Sequence, residues 1–154
     1  MTAEQKAPIV SLTVEIDAPA QLVWDTLVDF KSYGEWNPFN PKVDADFRVG
    51  GTITMEVNMG DPNANSSMTE IFSEISAPHK LVWGAVTSPE TGDRVVHDHF
   101  IEAIDAKRSR YWHSDTFFGP NAQATATQFG AGIKAAFDSV AVALKARAEQ
   151  LSKK

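Results

Sequence analysis

The stretch IVSLTVEIDAPAQLVWDTLVDFKSYGEWNPF, residues 9–39, decides the fold, because its apolar period changes from two to 3.6 within a few residues. Val10, Leu12, Val14 and Ile16 alternate with Ser11, Thr13 and Glu15, the pattern of a half-buried strand over Ile9 to Ile16. Asp17 then reads as a helix N-cap, with Pro19 in the first turn, where a missing N–H does no harm. Val23, Trp24, Leu27 and Val28 form the apolar stripe of a short helix. A second short helix around Ser32 to Trp36 stops where Asn37-Pro38 and Asn40-Pro41 break the pattern.

Outward from this stretch the period stays at two for most of the chain. Gly50-Gly51 opens a strand in which Ile53, Met55, Val57 and Met59 share one face. Residues 60–67 read as a polar loop. Strands follow at about Met68 to Ser76, Leu81 to Thr87, Val95 to Ile104 and Arg110 to Phe118. Short links favour antiparallel neighbours. From about Thr125 the period returns to 3.6, and Phe129, Ile133, Phe137, Val140, Leu144, Ala148 and Leu151 fall on one stripe of a long helix. Gly130 and Gly132 near its start have two readings. Either the helix begins after them, or small residues there leave room for a ligand. The order is strand, two short helices, a meander of six strands and one long helix, an α+β chain without repeats and with a single domain over residues 1–154.

Composition narrows the function. At 154 residues the chain can bury a real core. A net charge of -6 argues against nucleic acid and anionic membrane surfaces, which need a basic patch. With no cysteine, disulfides, thiolate nucleophiles and Cys-ligated metals are excluded. Residues 1–8 read as a flexible N-terminus without the apolar core of a signal peptide, and no stretch has the apolar length of a membrane span. A cytoplasmic location is the expectation, as monomer or homodimer.

The strings IDAPAQLVWDTLVDFKSYGEWNPF, GGTITM, APHKLVW and RYWHSDTFFG, in this order, resemble the SRPBCC superfamily. This is the helix-grip fold of START lipid-transfer domains, birch-pollen-allergen-like proteins and polyketide cyclases/dehydrases. The resemblance covers essentially the whole chain and implies a seven-stranded antiparallel sheet curved around the C-terminal helix, with a cavity between them. It also implies that Tyr33, Trp36 and Phe39 sit near the cavity mouth, and that Phe129, Ile133 and Phe137 form the helix wall. Ile53, Met55, Val57 and Trp83 are expected to complete the apolar lining. The fold marks function poorly, since such proteins bind many apolar molecules.

The residues able to do chemistry lie on two neighbouring strands, VVHDHFIEAI (95–104) and RYWHSDTFF (110–118). A period of two splits the first into Val95, His97, His99 and Ile101 against Val96, Asp98, Phe100 and Glu102. It splits the second into Tyr111, His113, Asp115 and Phe117 against Arg110, Trp112, Ser114 and Thr116. A three-residue turn at Asp105 to Lys107 would set His99 opposite His113 and His97 opposite Asp115. One assignment turns those four inward and leaves Glu102 to pair with Arg110 outside. A one-residue slip reverses it, and Phe100 and Trp112 speak for the reverse.

Turned inward, the set offers a histidine base or acid, His99 or His113, with His97 beside it, Asp115 as orienter and Tyr111 as a hydrogen-bond donor. Glu70 is a second candidate acid. Such a group suits cofactor-independent cyclisation, dehydration or a related lyase reaction on a small aromatic or polyketide-like molecule. His-x-His facing His-x-Asp also matches a zinc or iron ligand set, although the resembling proteins do not generally use a metal. Two further readings are a carrier of a lipid or other hydrophobic compound, and an interaction domain sharing the fold.

Overall fold

Lys6–Val10 (β1) and Val14–Ile16 (β2) are two halves of the N-terminal strand, and both pair antiparallel with the last strand of the sheet. The computed structural model describes residues 4–58, 60 and 62–154. The halves are out of phase: Ala7, Ile9 and Ser11 are buried, then Val14 and Ile16, so Val10 and Leu12 face solvent. This corrects the unbroken alternation expected over residues 9–16. The cause is local. Leu12 N donates to Asp138 Oδ1 of the C-terminal helix at 2.7 Å, and the Ser11 hydroxyl accepts from His113 N at 2.9 Å. Residues 6–8 lie in β1 and not in a flexible arm, and residues 1–3 lie outside the described residues.

Ala20–Val28 (α1) buries Val23, Trp24 and Leu27, and a 3₁₀ helix follows at Phe30–Glu35. Asp17 does not cap α1. Pro19 occupies the N-cap with no side-chain bond, and Asp17 instead donates its N–H to Glu149 Oε2 at 2.8 Å. The sheet continues with Val43–Ala45 (β3), Thr52–Val57 (β4), Ser66–Ser76 (β5), Lys80–Ser88 (β6), Asp93–Ala103 (β7) and Ser109–Phe118 (β8). β3 is too short to show a period, and it pairs with β4. Part of the expected polar loop is a 3₁₀ turn, Pro62–Ala64, and Met59 lies outside the described residues.

Strand order is β1-β8-β7-β6-β5-β4-β3, with β2 also on β8, so β1 and β2 counted as one bent strand give the seven strands of the helix-grip fold. β6 and β7 approach closely at Gly84, where a Cβ would come within 2.4 Å of the Val95 carbonyl oxygen.

The concave face is closed by Ala122–Ser152 (α2), which buries Phe137, Val140, Ala141, Leu144 and Ala148. It starts before the expected Thr125 and runs through both glycines. A Cβ on Gly130 would meet Ile9 Cδ1 at 3.4 Å and one on Gly132 nothing within 4 Å, and neither glycine lines the cavity, so neither reading of them holds. The start of α2 is fixed from β7. Asn121 donates its N–H to Asp93 Oδ1 at 2.9 Å and its amide to Oδ2 at 2.7 Å. Gly119 before it has φ of 115°, with a would-be Cβ 2.4 Å from Asp93 Oδ1. Among the described residues no helix is long and apolar enough to cross a membrane.

α2 is held by its apolar stripe and by polar ties of Asn121, Asp138 and Glu149 to Asp93, Leu12 and Asp17. Leu144→Ala, at a fully buried position, is expected to cost about 2–5 kcal/mol in urea unfolding. Val142→Ala, at a position 54% exposed on the same turn, should stay within about 0.5 kcal/mol.

Candidate active site

Strands β7 and β8 meet in the register that the short turn predicts: His97 opposite Asp115, His99 opposite His113, Ile101 opposite Tyr111. Asp105 holds that turn by accepting from Lys107 N at 2.8 Å and Arg108 N at 2.9 Å. All five candidates, His97, His99, Tyr111, His113 and Asp115, face the cavity. The apolar residues of the opposite face are satisfied by each other. Phe100 stacks on Trp112 with centroids 5.1 Å apart, and Lys80 lies over Phe100. Beside them Arg110 pairs with Glu102 at 2.6 Å.

The inward groups form one hydrogen-bonded chain. Asp115 Oδ1 accepts from His97 Nδ1 at 2.5 Å and from His113 Nε2 at 2.6 Å, and His97 Nε2 reaches Glu70 Oε1 at 2.9 Å. Glu70 is buried on β5, two strands from His97 in the sheet. His99 stands apart, with Nδ1 3.0 Å from the Tyr111 hydroxyl. Its Nε2 is buried without a partner.

Electrostatics separates these groups. Burial would push His97 down, but the Asp115 and Glu70 carboxyls outweigh it and hold its pKa up to about 10. Burial likewise works against the Asp115 carboxylate, and His97 and His113 overcome it, bringing its pKa down to about 2. His99 has no such partner, so burial first, then the neighbouring His113 and His97, put it well below the ordinary value. Burial and the charge of Asp115 raise the Tyr111 phenol above its ordinary value.

The cavity has a volume of about 240 Å³, and most of its remaining lining is apolar. Phe39, Met55, Val57, Trp83, Phe117, Ile133 and Phe137 line it as expected from their positions. Phe137 of α2 stacks on His113, centroids 3.9 Å apart and planes 16° apart, and so covers the polar wall. Three expected lining residues are placed elsewhere. Phe129 is 53% exposed and outside the lining, while its neighbour Gly130 faces Ile9 of β1. Trp36 packs on Tyr33 at 4.9 Å, outside the lining. Ile53 is core beneath the cavity and not part of its surface.

Asn37, Asn40, Leu27 and Met68 also line the cavity, a task that periodicity does not reveal. For the asparagines a signal exists in the two Asn-Pro steps. Asn37 Oδ1 accepts from Phe39 N at 2.9 Å and Asn40 N at 2.8 Å, and Asn40 Nδ2 donates to the Glu56 carbonyl at 3.1 Å. The turn is thereby tied to β4, which sets Phe39 edge-on to Phe137 at 5.3 Å.

One imidazole nitrogen each from His97 and His113 and one oxygen of Asp115 lie within 4.8 Å of one another, the donor types of a zinc or iron site. As placed they do not fit an ion. Two donors on a tetrahedral zinc sit about 3.3 Å apart, whereas Asp115 Oδ1 is at hydrogen-bond distance from both nitrogens.

Comparison with known proteins agrees with this architecture. The profile of the family described as polyketide cyclase / dehydrase and lipid transport matches residues 7–149. The Zhui aromatase/cyclase from Streptomyces sp. R1128 is similar in structure, with 18% identity, TM-score 0.66 and coverage of 98% of this chain and 94% of that one. A norcoclaurine synthase point mutant of Thalictrum flavum is 15% identical, with TM-score 0.71 and 98% and 99% coverage. A START superfamily protein from Mycobacterium smegmatis is 14% identical, with TM-score 0.72 and 95% and 98% coverage. No curated protein matches the sequence.

The chain of charges makes stability depend on pH in a definite direction. His97, with an ordinary value of 6.5 and a folded value of about 10, contributes fully below pH 6.5 and loses that contribution as pH rises to about 10. Asp115, ordinarily 3.8 and about 2 when folded, contributes above pH 3.8 and loses this as pH falls to about 2. Tm of the wild type should therefore fall between pH 6.5 and 10. Asp115→Asn should lower Tm at neutral pH and flatten that slope, and a parallel slope would contradict the pairing.

Proposed function

The chain belongs to the polyketide cyclase/dehydrase and lipid transport family, and we propose on that footing that it binds a small, largely apolar ring compound and moves a proton on it without a cofactor. The observation that carries this reading is the Asp115–His113 pair in the wall of a largely apolar cavity. A carboxylate only accepts, so His113 donates Nε2–H to Asp115 and keeps the lone pair on Nδ1. His97 has both nitrogens on carboxyl groups and no lone pair to spare.

His113 is thus the base. Its Nδ1 takes a proton from carbon next to a carbonyl, the C–H electron pair moves toward the carbonyl oxygen, and Asp115 stabilises the imidazolium formed. Return of that proton to an adjacent leaving hydroxyl, released as water, completes a dehydration of the kind that aromatisation needs. Two of the similar structures are enzymes by name, an aromatase/cyclase and a synthase. The acid/base set of His113, Asp115, His97, Glu70 and Tyr111 is suited to such a step.

Size bears on the rival reading, a hydrophobic carrier. A volume of about 240 Å³ lies at the small end of ligand pockets, which run from about 300 to 1,000 Å³, and suits a compact ring compound better than a long acyl chain. The test uses 2-tetralone, an enolisable two-ring ketone, in D₂O. Proton NMR should show α-proton exchange faster than in buffer, slowed about 10²–10⁴-fold in His113→Phe and Asp115→Asn. Binding of 2-tetralone with no accelerated exchange would support the carrier and overturn the catalytic reading.

A further inference from the structure

His99 carries the one buried side-chain polar atom without a partner among the described residues, Nε2, and its ring lines the cavity. The side chain is 4% exposed and held on three sides. Trp83 lies 4.2 Å from its ring, His113 meets it edge-on at 4.3 Å, and the Tyr111 hydroxyl is 3.0 Å from Nδ1. Native proteins seldom leave such an atom unmade, because the desolvation cost is borne with no return. A ligand in the cavity is the natural partner.

The tautomer follows from the neighbour. Tyr111 is a buried neutral phenol whose only acceptor among the described residues is His99 Nδ1. If its O–H donates there, both side chains are satisfied and the imidazole proton sits on Nε2. The reverse tautomer would leave the phenol hydrogen without an acceptor. Among the described residues no carboxyl group touches His99, so burial and the adjacent imidazoles keep the ring uncharged.

We propose that Nε2–H of His99 is a fixed, neutral hydrogen-bond donor for a carbonyl or phenolic oxygen on a small aromatic ligand, and that it holds negative charge developing on that oxygen. A neutral imidazole is suited to this task, because it polarises an oxyanion without surrendering its proton. The inference rests on the cavity being a small-molecule site, and it divides the histidines by role. His113, bonded to Asp115, handles the proton. His97, between two carboxyls, fixes the charge of the wall. His99, bonded only to a phenol, meets the oxygen. The ligand class is a one- or two-ring phenol or enolisable aromatic ketone, with its oxygen directed at β7.

Two probes of nearly equal size test the donor: 4-nitrophenol, whose absorption distinguishes phenol from phenolate, and nitrobenzene, which lacks the oxygen. The wild type should bind 4-nitrophenol about 10- to 100-fold more tightly than nitrobenzene, and the bound phenol should ionise at lower pH than in water. His99→Phe should abolish both the preference and the ionisation shift. His99→Gln, with an amide N–H near the same position, should restore part of each, and Tyr111→Phe should weaken them. If His99→Phe fails to fold, the Gln and Tyr111 variants carry the test. A preference unchanged by these substitutions, or equal binding of both probes to the wild type, overturns the donor role and leaves the proton-transfer reading standing. Binding of neither probe to the wild type overturns the small-molecule cavity as well.

Discussion

Oδ1 of Asp115 accepts hydrogen bonds from two imidazoles, at 2.5 Å from His97 and 2.6 Å from His113, inside the fold. A carboxylate taken out of water is costly unless its lone pairs are met, and removing one partner of such a pair typically costs about 3–5 kcal/mol. That constraint reaches outward. His97 is opposite Asp115 only in one register of β7 on β8, and the short turn held by Asp105 sets that register. His113 stays in place because Ser11 takes its backbone N–H and Phe137 covers its ring. The break between β1 and β2, the approach of α2 and the polar wall are thus parts of one arrangement.

Much of this was legible in the sequence, for a physical reason. A period of two in residues 95–104 and 110–118 leaves only two possible faces, and a short turn leaves few registers. What periodicity could not decide was which face turned inward, because each face held both apolar and ionisable groups. The stacking of Phe100 on Trp112 answers that, since two aromatics that cover each other can stand on the convex side. Glu70 was visible as a residue but not as a partner, because its contact with His97 spans an intervening strand.

The misplacements also have causes. Phe129 continues the apolar period of α2, yet on its turn it is Gly130 that faces Ile9 of β1, so Phe129 stands at 53% exposure while Phe137 and Leu144 are buried. Val10 and Leu12 keep the strand period, but the phase is reset where Asp138 takes the N–H of Leu12. Asn37 and Asn40 look like helix stops and are also cavity residues, because the bonds that end the helix orient Phe39. Local rules described these residues correctly, and long-range contacts decided their tasks.

His97 and His99, two imidazoles on one strand, are driven to opposite states by their neighbours. Nitrogen-15 NMR of the histidine rings, followed with pH, reads this directly. His97 should remain protonated on both nitrogens at pH 8, well above its ordinary 6.5 and below about 10. His99 should stay neutral through pH 6, with its proton on Nε2. Titration of both rings together near 6.5 would contradict the account, since it would mean that neither the carboxyl pair nor the buried phenol controls them.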